Sequence, residues 1–384
     1  MEYKKINELT AVVTGGTPST RKNEYWDNGD IPWLQSGCCQ NCDVDSTEKY
    51  ITKEGYNNSS THMMPADTVM IALTGATAGK VGYLKFEACG NQSITGILPC
   101  ESLNQRYLFF YLLSQREKIL ADCVGGAQAH ISQSYVKNMT IPILAIKEQE
   151  QIVGELTKLS NIVSLRQEEI QQLDALIKAR FVEMFGDPIQ NPKGWEVVTI
   201  GDIVTEVRYG TSKPAVEGGK YPYLRMNNLT ADGHLDLNDL KYIDIPDDEI
   251  EKCVVRKGDV LFNRTNSIEL VGKTAVFDLP EDMIIAGYII RVRLTEKMLP
   301  EVLSQYMNLE ALKGILRGMA KGAVNQANIN AQELQSIKVY IPEMELQKQF
   351  VKMKEQIYKS KVAVQKALDE TQILFDSLMQ KYFG

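Results

Sequence analysis

With 384 residues and 44% hydrophobic content, the chain is too long for one ordinary domain and has apolar material for two cores. Its net charge of −7 excludes a protein that holds nucleic acid by bulk positive charge, so any DNA contact has to come from local patches or from a basic partner. The longest apolar run (283–290) is far short of a membrane span, the opening MEYKKINELT has no apolar signal core, and seven irregularly spaced cysteines suit a reducing compartment. A cytoplasmic protein with no membrane partner is expected.

In chain order, residues 1–140 alternate short β-branched runs with turns, then give an amphipathic helix at about 106–121 and a loop rich in Gly, Ala and Gln. Residues 141–186 open with Ile141-Pro142 and read as one long helix. Leu156, Val163, Ile170, Ile177 and Met184 recur every seven positions, and a flanking row of Ile152, Leu159 and Leu173 is interrupted by Arg166 and Arg180. So narrow a seam is the pattern of a coiled coil, roughly 57 Å long, and it requires a long partner. The segment GDPIQNPKGW (186–195) is crowded with turn formers and marks a boundary.

Residues 187–340 repeat the first block more weakly. KKINELTAVVTGGTP (4–18) lies on VVTIGDIVTEVRYGTSKP (197–214) with Gly16-Thr17 over Gly210-Thr211, IPWLQ (31–35) lies on YPYLR (221–225), and residues 67–84 lie on 258–277. A second amphipathic helix is expected at about 299–317. Residues 341–384 repeat the long helix at a shift of 198, which brings Gln149 onto Gln347 and Phe185-Gly186 onto Phe383-Gly384. Phe350, Ile357, Val364, Thr371 and Leu378 recur every seven, with Leu368, Phe375 and Tyr382 beside them. The expected fold is therefore α+β: two similar domains (1–140 and 187–340) separated by a long antiparallel two-helix coiled coil (141–186 and 341–384), with pseudo-twofold symmetry. The expected seam is Leu156, Leu159, Val163, Ile170, Leu173 and Ile177 against Phe350, Ile357, Val364, Leu368 and Leu378.

No catalytic constellation emerges. Gly79-Lys80 and Gly272-Lys273 resemble fragments of a phosphate loop, but the glycine such a loop needs five residues earlier is Thr74 or Ser267, so a turn with an exposed lysine is the better reading. Cys38, Cys39 and Cys42 lack the second ligand pair of a structural zinc site, so neither a metal nor a cofactor is expected on this chain. The three histidines, His62, His130 and His234, sit in no hydrolase or metalloprotease pattern, and no Asn/Asp-Pro-Pro-aromatic run for a flipped base is present. What recurs is loops rich in hydrogen-bond donors and acceptors at matching places. Candidate DNA-contacting residues are Gln35, Thr74, Thr77, Lys80, Gln128, His130 and Ser132 in the first copy. In the second they are Arg225, Asn227, Arg264, Asn266, Lys273, Lys321, Gln326 and Asn328. Arg, Lys, Asn and Gln are the side chains that make paired bonds to guanine and adenine edges.

The repeated Ile-Pro followed by a Gln-rich helix start (141–153 and 341–351), the Phe-Gly-Asp-Pro-(x)3-Pro-x-Gly-Trp junction (185–195) and the tandem layout together resemble the specificity subunits of type I restriction–modification systems. That resemblance implies two target recognition domains, each reading one half of a split double-stranded DNA site, with the coiled coil fixing the gap. It also implies two modification subunits carrying S-adenosylmethionine-dependent adenine methylation, and restriction subunits using ATP and Mg. The chain itself would be no enzyme. The competing expectation is a coiled-coil adaptor that binds two protein partners and no DNA. A steep fall of affinity with salt separates the two, because only phosphate contacts release counterions.

Overall fold

The β-branched runs ahead of each Ile-Pro become strands. The computed structural model describes residues 2–122, 130–320 and 327–384, which fall into two units, Met1–Arg166 with Lys366–Gly384 (unit 1) and Gln167–Gln365 (unit 2).

In unit 1 one sheet runs β2 (Val12–Thr14), β9 (Ile94–Ile97), β6 (Val69–Ala72), β7 (Val81–Leu84), β4 (Cys42–Val44), antiparallel except where β4 meets β7. A second runs β5 (Tyr50–Ile51), β3 (Ile31–Leu34), β8 (Cys89–Gly90), with β3 and β8 parallel. Strand β1 (Glu2–Lys5) pairs antiparallel with β10 (Thr140–Ile143). The helices are α1 (Ile6–Leu9), α2 (Lys53–Asn57), α3 (Gln105–Ser114), α4 (Arg116–Ala121), α5 (Gln133–Asn138) and the first part of α6 (Ile146–Phe185). Tyr107, Leu108, Phe109 and Leu112 of α3 pack on Val69, Ile71 and Ile97 of the larger sheet, which makes the core.

In unit 2 the corresponding sheet is antiparallel throughout: β12 (Val204–Tyr209), β20 (Ile289–Leu294), β16 (Val260–Asn263), β18 (Thr274–Val276). The smaller sheet runs β14 (Lys241–Ile243), β13 (Tyr221–Leu224), β19 (Met283–Ile285), β15 (Val254–Val255), with β13 and β19 parallel. Strand β11 (Glu196–Thr199) pairs with β22 (Lys338–Ile341), and β17 (Thr265–Asn266) with β21 (Ala327–Asn328). Its helices are α7 (Asp247–Cys253), α8 (Pro300–Met307), α9 (Glu310–Met319), α10 (Ala331–Gln335) and the first part of α11 (Met344–Phe383).

Three sequence expectations shift. Each single amphipathic helix is two, α3–α4 and α8–α9. In unit 2 the Asn308 amide ends α8 by donating to the carbonyls of Thr274 at 2.6 Å and Ser304 at 3.0 Å. Each Ile-Pro begins no helix: Pro142 lies in β10 of a two-stranded ribbon, where a missing N–H is tolerated, and Pro342 follows β22. The glycine register also moves by one. Gly15 N–H donates to Ile94 O at 3.2 Å as Gly210 N–H donates to Ile289 O at 3.1 Å, so Gly15, not Gly16, is the counterpart of Gly210. A Cβ on Gly15 would stand 2.1 Å from the Gly90 carbonyl oxygen, and one on Gly210 would stand 2.2 Å from that of Ile285. Only glycine lets this loop cross the strand so closely.

Gln149 and Gln347 explain why the Gln-rich helix starts recur. Gln149 Oε1 accepts from Asn104 N–H at 2.8 Å while its Nε2 donates to Leu144 O at 2.9 Å. Gln347 Oε1 accepts from Leu299 N–H at 2.8 Å while its Nε2 donates to Pro342 O at 2.8 Å. Both are fully buried, and each clips the start of a long helix to the chain entering α3 or α8.

The two long helices pair antiparallel. In unit 1, Tyr382 donates to Glu155 at 2.5 Å, and Arg166 reaches the Ala367 carbonyl and Thr371 hydroxyl. In unit 2, Lys361 meets Asp174 at 2.7 Å, and Phe181 and Phe185 pack on Phe350 with ring centroids 5.2 and 5.4 Å apart. Of the expected seam, Leu156, Ile177, Phe350 and Leu368 are buried, whereas Leu159, Val163, Ile170, Leu173, Ile357, Val364 and Leu378 are half-buried. Leu156, Ile177 and Phe350 lie toward helix ends, where each helix also joins a globular core, whereas Leu368 is buried near the middle of α11.

Candidate nucleic-acid interface

In both units the loop after the first sheet strand, the end of the parallel pair in the smaller sheet, and the segment that follows it converge on one cleft. An aromatic residue near the end of β3 or β13 anchors it. Trp33 Nε1 donates to Gly16 O at 3.0 Å, and the Tyr223 hydroxyl donates to Thr211 O at 3.2 Å. Burial pushes the Tyr223 hydroxyl pKa up, which keeps it a donor. The next residue but one, Gln35 or Arg225, starts a single 3-10 turn whose first carbonyl accepts from Cys38 N–H or Asn228 N–H at 2.9 Å.

The unit 1 cleft encloses about 780 Å³ and is lined by Thr17, Trp26, Trp33, Gln35, Asn91 and Gln92 among others. Trp26 and Trp33 meet edge to face with centroids 5.0 Å apart, and the Thr17 hydroxyl donates to Gln92 Oε1 at 2.6 Å. The unit 2 cleft, of about 560 Å³, is lined by residues including Lys213, Tyr223, Arg225, Asn227, Arg264 and Tyr288. Here Arg225 Nη2 donates to the Asp239 carboxylate at 2.7 Å, and the Arg264 guanidinium lies over the Tyr209 ring, 4.9 Å from its centroid.

Gln35 is thus at the rim of one cleft, and Arg225, Asn227 and Arg264 are brought together in the other. Thr74, Thr77 and Lys80 share the turn between β6 and β7. Thr77 Oγ1 donates to Thr74 O at 3.4 Å, Thr74 is bridged to His130, and Lys80 Nζ donates to Gln40 Oε1 at 2.6 Å. Ser132 caps α5 by accepting Tyr135 N–H at 3.0 Å. In unit 2, Asn266 accepts the N–H of Ser267 at 2.9 Å, and Asn328 Oδ1 accepts from the Thr265 hydroxyl at 2.9 Å. Lys273 is not the exposed turn lysine expected: it is buried, its ammonium donating to the carbonyls of Met226 and Leu229, and burial lowers its pKa. It braces the 225–230 loop from below, and the glycine before it, Gly272 at φ +79°, serves the turn. Gln128, Lys321 and Gln326 lie outside the described residues.

Sequence reasoning missed Asn91, Gln92, Tyr209 and Tyr288. The first two and Tyr288 follow β8 and β19, and the parallel pairing that brings them beside Gln35 and Arg225 leaves no periodic trace. The stretch GNQSI (90–94) against AGYII (286–290) was the available signal.

A family model for the type I restriction modification DNA specificity domain matches residues 1–175 and 192–371. The chain belongs to this type I restriction–modification specificity family. It is similar to the EcoKI specificity subunit of Escherichia coli (strain K12), 24% identical over 407 residues that cover 98% of this chain and 87% of that protein. The EcoR124I/EcoR124II specificity subunit of Escherichia coli is 33% identical over 169 residues, covering 43% of this chain and 42% of that protein. A solved type I restriction–modification S subunit from M. genitalium has the same fold, with a TM-score of 0.59, 16% identity, and coverage of 100% of this chain and 96% of that one. DNA sequence recognition is the work of the specificity family, and the loops around the two clefts are where varied side chains stand on a repeated frame. No helix among the described residues is long and apolar enough to cross a membrane.

Proposed function

We propose that this chain is the sequence-reading subunit of a cytoplasmic type I restriction–modification complex. The two units act as sibling recognition domains related by a pseudo-twofold axis, each taking one half of a divided double-stranded DNA site. The paired helices α6 and α11 set the gap and dock two modification subunits. Adenine methylation with S-adenosylmethionine belongs to those subunits, and ATP- and Mg-dependent restriction to a further partner. This chain contributes no catalytic group or cofactor.

The observation that carries the reading is one frame with two chemistries. Gly15 and Gly210, Trp33 and Tyr223, and Gln149 and Gln347 make the same bonds, while the cleft residues Gln35 and Arg225 differ in charge and hydrogen-bonding pattern. A shared scaffold with divergent loops suits two half-sites of different sequence. The test is to map methylated adenines genome-wide in cells with and without this chain. A divided motif that vanishes with the chain is expected, and an unchanged methylation pattern refutes the proposal. Binding by the assembled complex should weaken steeply with salt, by about 0.9 log unit per log unit for each phosphate neutralised.

A further inference from the structure

The two clefts differ most sharply at a pair of framework positions. Leu73 N–H donates to Ser93 O at 2.8 Å, and Arg264 N–H donates to Tyr288 O at 3.0 Å; Ile131 and Ile329 return bonds of 2.9 Å to the carbonyls of Leu73 and Arg264. Arg264 therefore stands where unit 1 has leucine, as Arg225 stands where unit 1 has Gln35. Unit 2 has placed two guanidinium groups in a cleft whose counterpart carries neither.

Arg264 is held in a particular way. Its guanidinium lies over Tyr209, and that ring is itself fixed because the Tyr209 hydroxyl accepts Ala331 N–H at 2.8 Å. Among the described residues its guanidinium makes one hydrogen bond, from Nη1 to Gly287 O, which is long at 3.4 Å, and its buried Nε meets no acceptor. No carboxylate pairs with it among the described residues, in contrast to Arg225, which Asp239 holds at 2.7 Å. Stacking sets the plane of the group while leaving most of its N–H donors unused. A phosphate contact needs only charge; a fixed plane with free donors suits a flat acceptor pair.

We propose that unit 2 reads a guanine through Arg264, whose N–H donors engage N7 and O6 of that base, with Arg225 oriented beside it by Asp239. The proposal rests on the reading of the chain as a DNA specificity subunit. It names the base class at one position of one half-site, and it makes that half-site the one holding the Arg264-dependent guanine.

The test uses the assembled complex of full-length chain and modification subunits, with duplexes carrying its methylated motif. Each guanine of the motif is replaced in turn by 7-deazaguanine, which keeps base pairing and removes the N7 acceptor. For the wild-type chain one such replacement should weaken binding roughly 5- to 150-fold, the range for one paired arginine–guanine contact. Arg264→Gln should lose sensitivity to that replacement and keep its sensitivity to bases of the other half-site. Arg264→Lys keeps the charge without the planar fork and should behave like Arg264→Gln. If neither variant folds, the wild-type scan still decides, because the absence of any sensitive guanine overturns the assignment. If Arg264→Gln weakens binding alike on all sequences with a shallower salt slope while Arg264→Lys binds like wild type, Arg264 is a phosphate contact and the assignment is also overturned. A wild-type complex with no divided motif at all is a different result: it sinks the proposed function, and this assignment with it.

Discussion

Lys361 Nζ lies 2.8 Å from Asp232 Oδ2 and 2.7 Å from Asp174 Oδ1, so one ammonium ties the 230–234 turn to both long helices within unit 2. Beside it His234 stacks on Tyr358 with ring centroids 4.3 Å apart. Gly233 makes the turn at φ +86°, where a Cβ would stand 2.7 Å from Asn308 Nδ2. The turn is thereby held from several sides.

This tie has a pH signature. Burial alone would raise the Asp232 carboxyl, but the Lys361 ammonium and the Thr230 hydroxyl outweigh it and bring it down to about 2. A folded-state value below the unfolded value of about 3.9 gives stability that is present above pH 4 and lost as pH falls from about 4 to about 2. The carboxylate is about a third exposed, so screening leaves roughly 1 kcal/mol. Asp232→Asn should lower stability by that amount at pH 7 and flatten the urea-denaturation profile between pH 4 and 2. Lys361→Met should cost more, about 2 kcal/mol, because Asp174 and Asp232 then face each other uncompensated.

The buried glutamines give a matched pair of tests. Gln149→Ala leaves Asn104 N–H and Leu144 O without partners, and Gln347→Ala does the same to Leu299 N–H and Pro342 O. Each should destabilise its own unit by about 2–3 kcal/mol, since one stranded buried polar group costs about 1–3 kcal/mol and each change strands two. Unfolding followed by hydrogen exchange should locate the loss in the unit that carries the change.

Glycine substitutions should divide by location. Gly15→Ala and Gly210→Ala force a methyl to within 2.2 Å of backbone oxygen, so the cleft loop has to move, at about 3 kcal/mol each. Each should also impair recognition of one half-site and spare the other in a methylation assay. Gly154→Ala, with nothing within 4 Å of its Cβ in a helix interior, should instead stabilise by about 0.5–1 kcal/mol. Thermal melts of the three variants check the order.

The helices supply a test of spacing. Inserting four residues in α6 after Arg166 and four in α11 before Lys366 adds about 6 Å of helix while keeping each half in register with its own core. The preferred gap between half-sites should widen by one or two base pairs at about 3.4 Å per pair. An unchanged gap in methylated-site mapping would refute the spacing role.

The long helices and the reason for two similar blocks were legible because heptad rows and matched ends leave a signal in sequence. Gln149 and Gln347 stood out as a repeat, yet their burial was invisible, since a glutamine near a helix start reads equally well as surface. Phe181 and Phe185 fall outside the seam that the sequence predicts, although Phe185 stands out as a matched helix end: a strict seven-residue row selects Ile177 and Met184, whereas the helix end turns toward a globular core and uses a wider face. The burial of Lys273 is illegible in sequence, because a Gly-Lys turn gives no hint that two carbonyls wait beneath it. The cleft was half legible. Gln35 and Arg225 followed from matching IPWLQ with YPYLR, but the residues after β8 and β19 reach the site through parallel pairing, which no local pattern encodes.

Trp33 and Tyr223 fasten their clefts to main-chain oxygens and ask nothing of the neighbouring side chains. The rim positions beside them carry only local bonds, such as Gln92 with Thr17 and Arg225 with Asp239, and can change without unfolding the scaffold. A randomised library at Gln35, Asn91 and Gln92, or at Arg225, Asn227 and Tyr288, should therefore yield mostly folded proteins. On the proposed reading, some of them should direct methylation to new DNA targets.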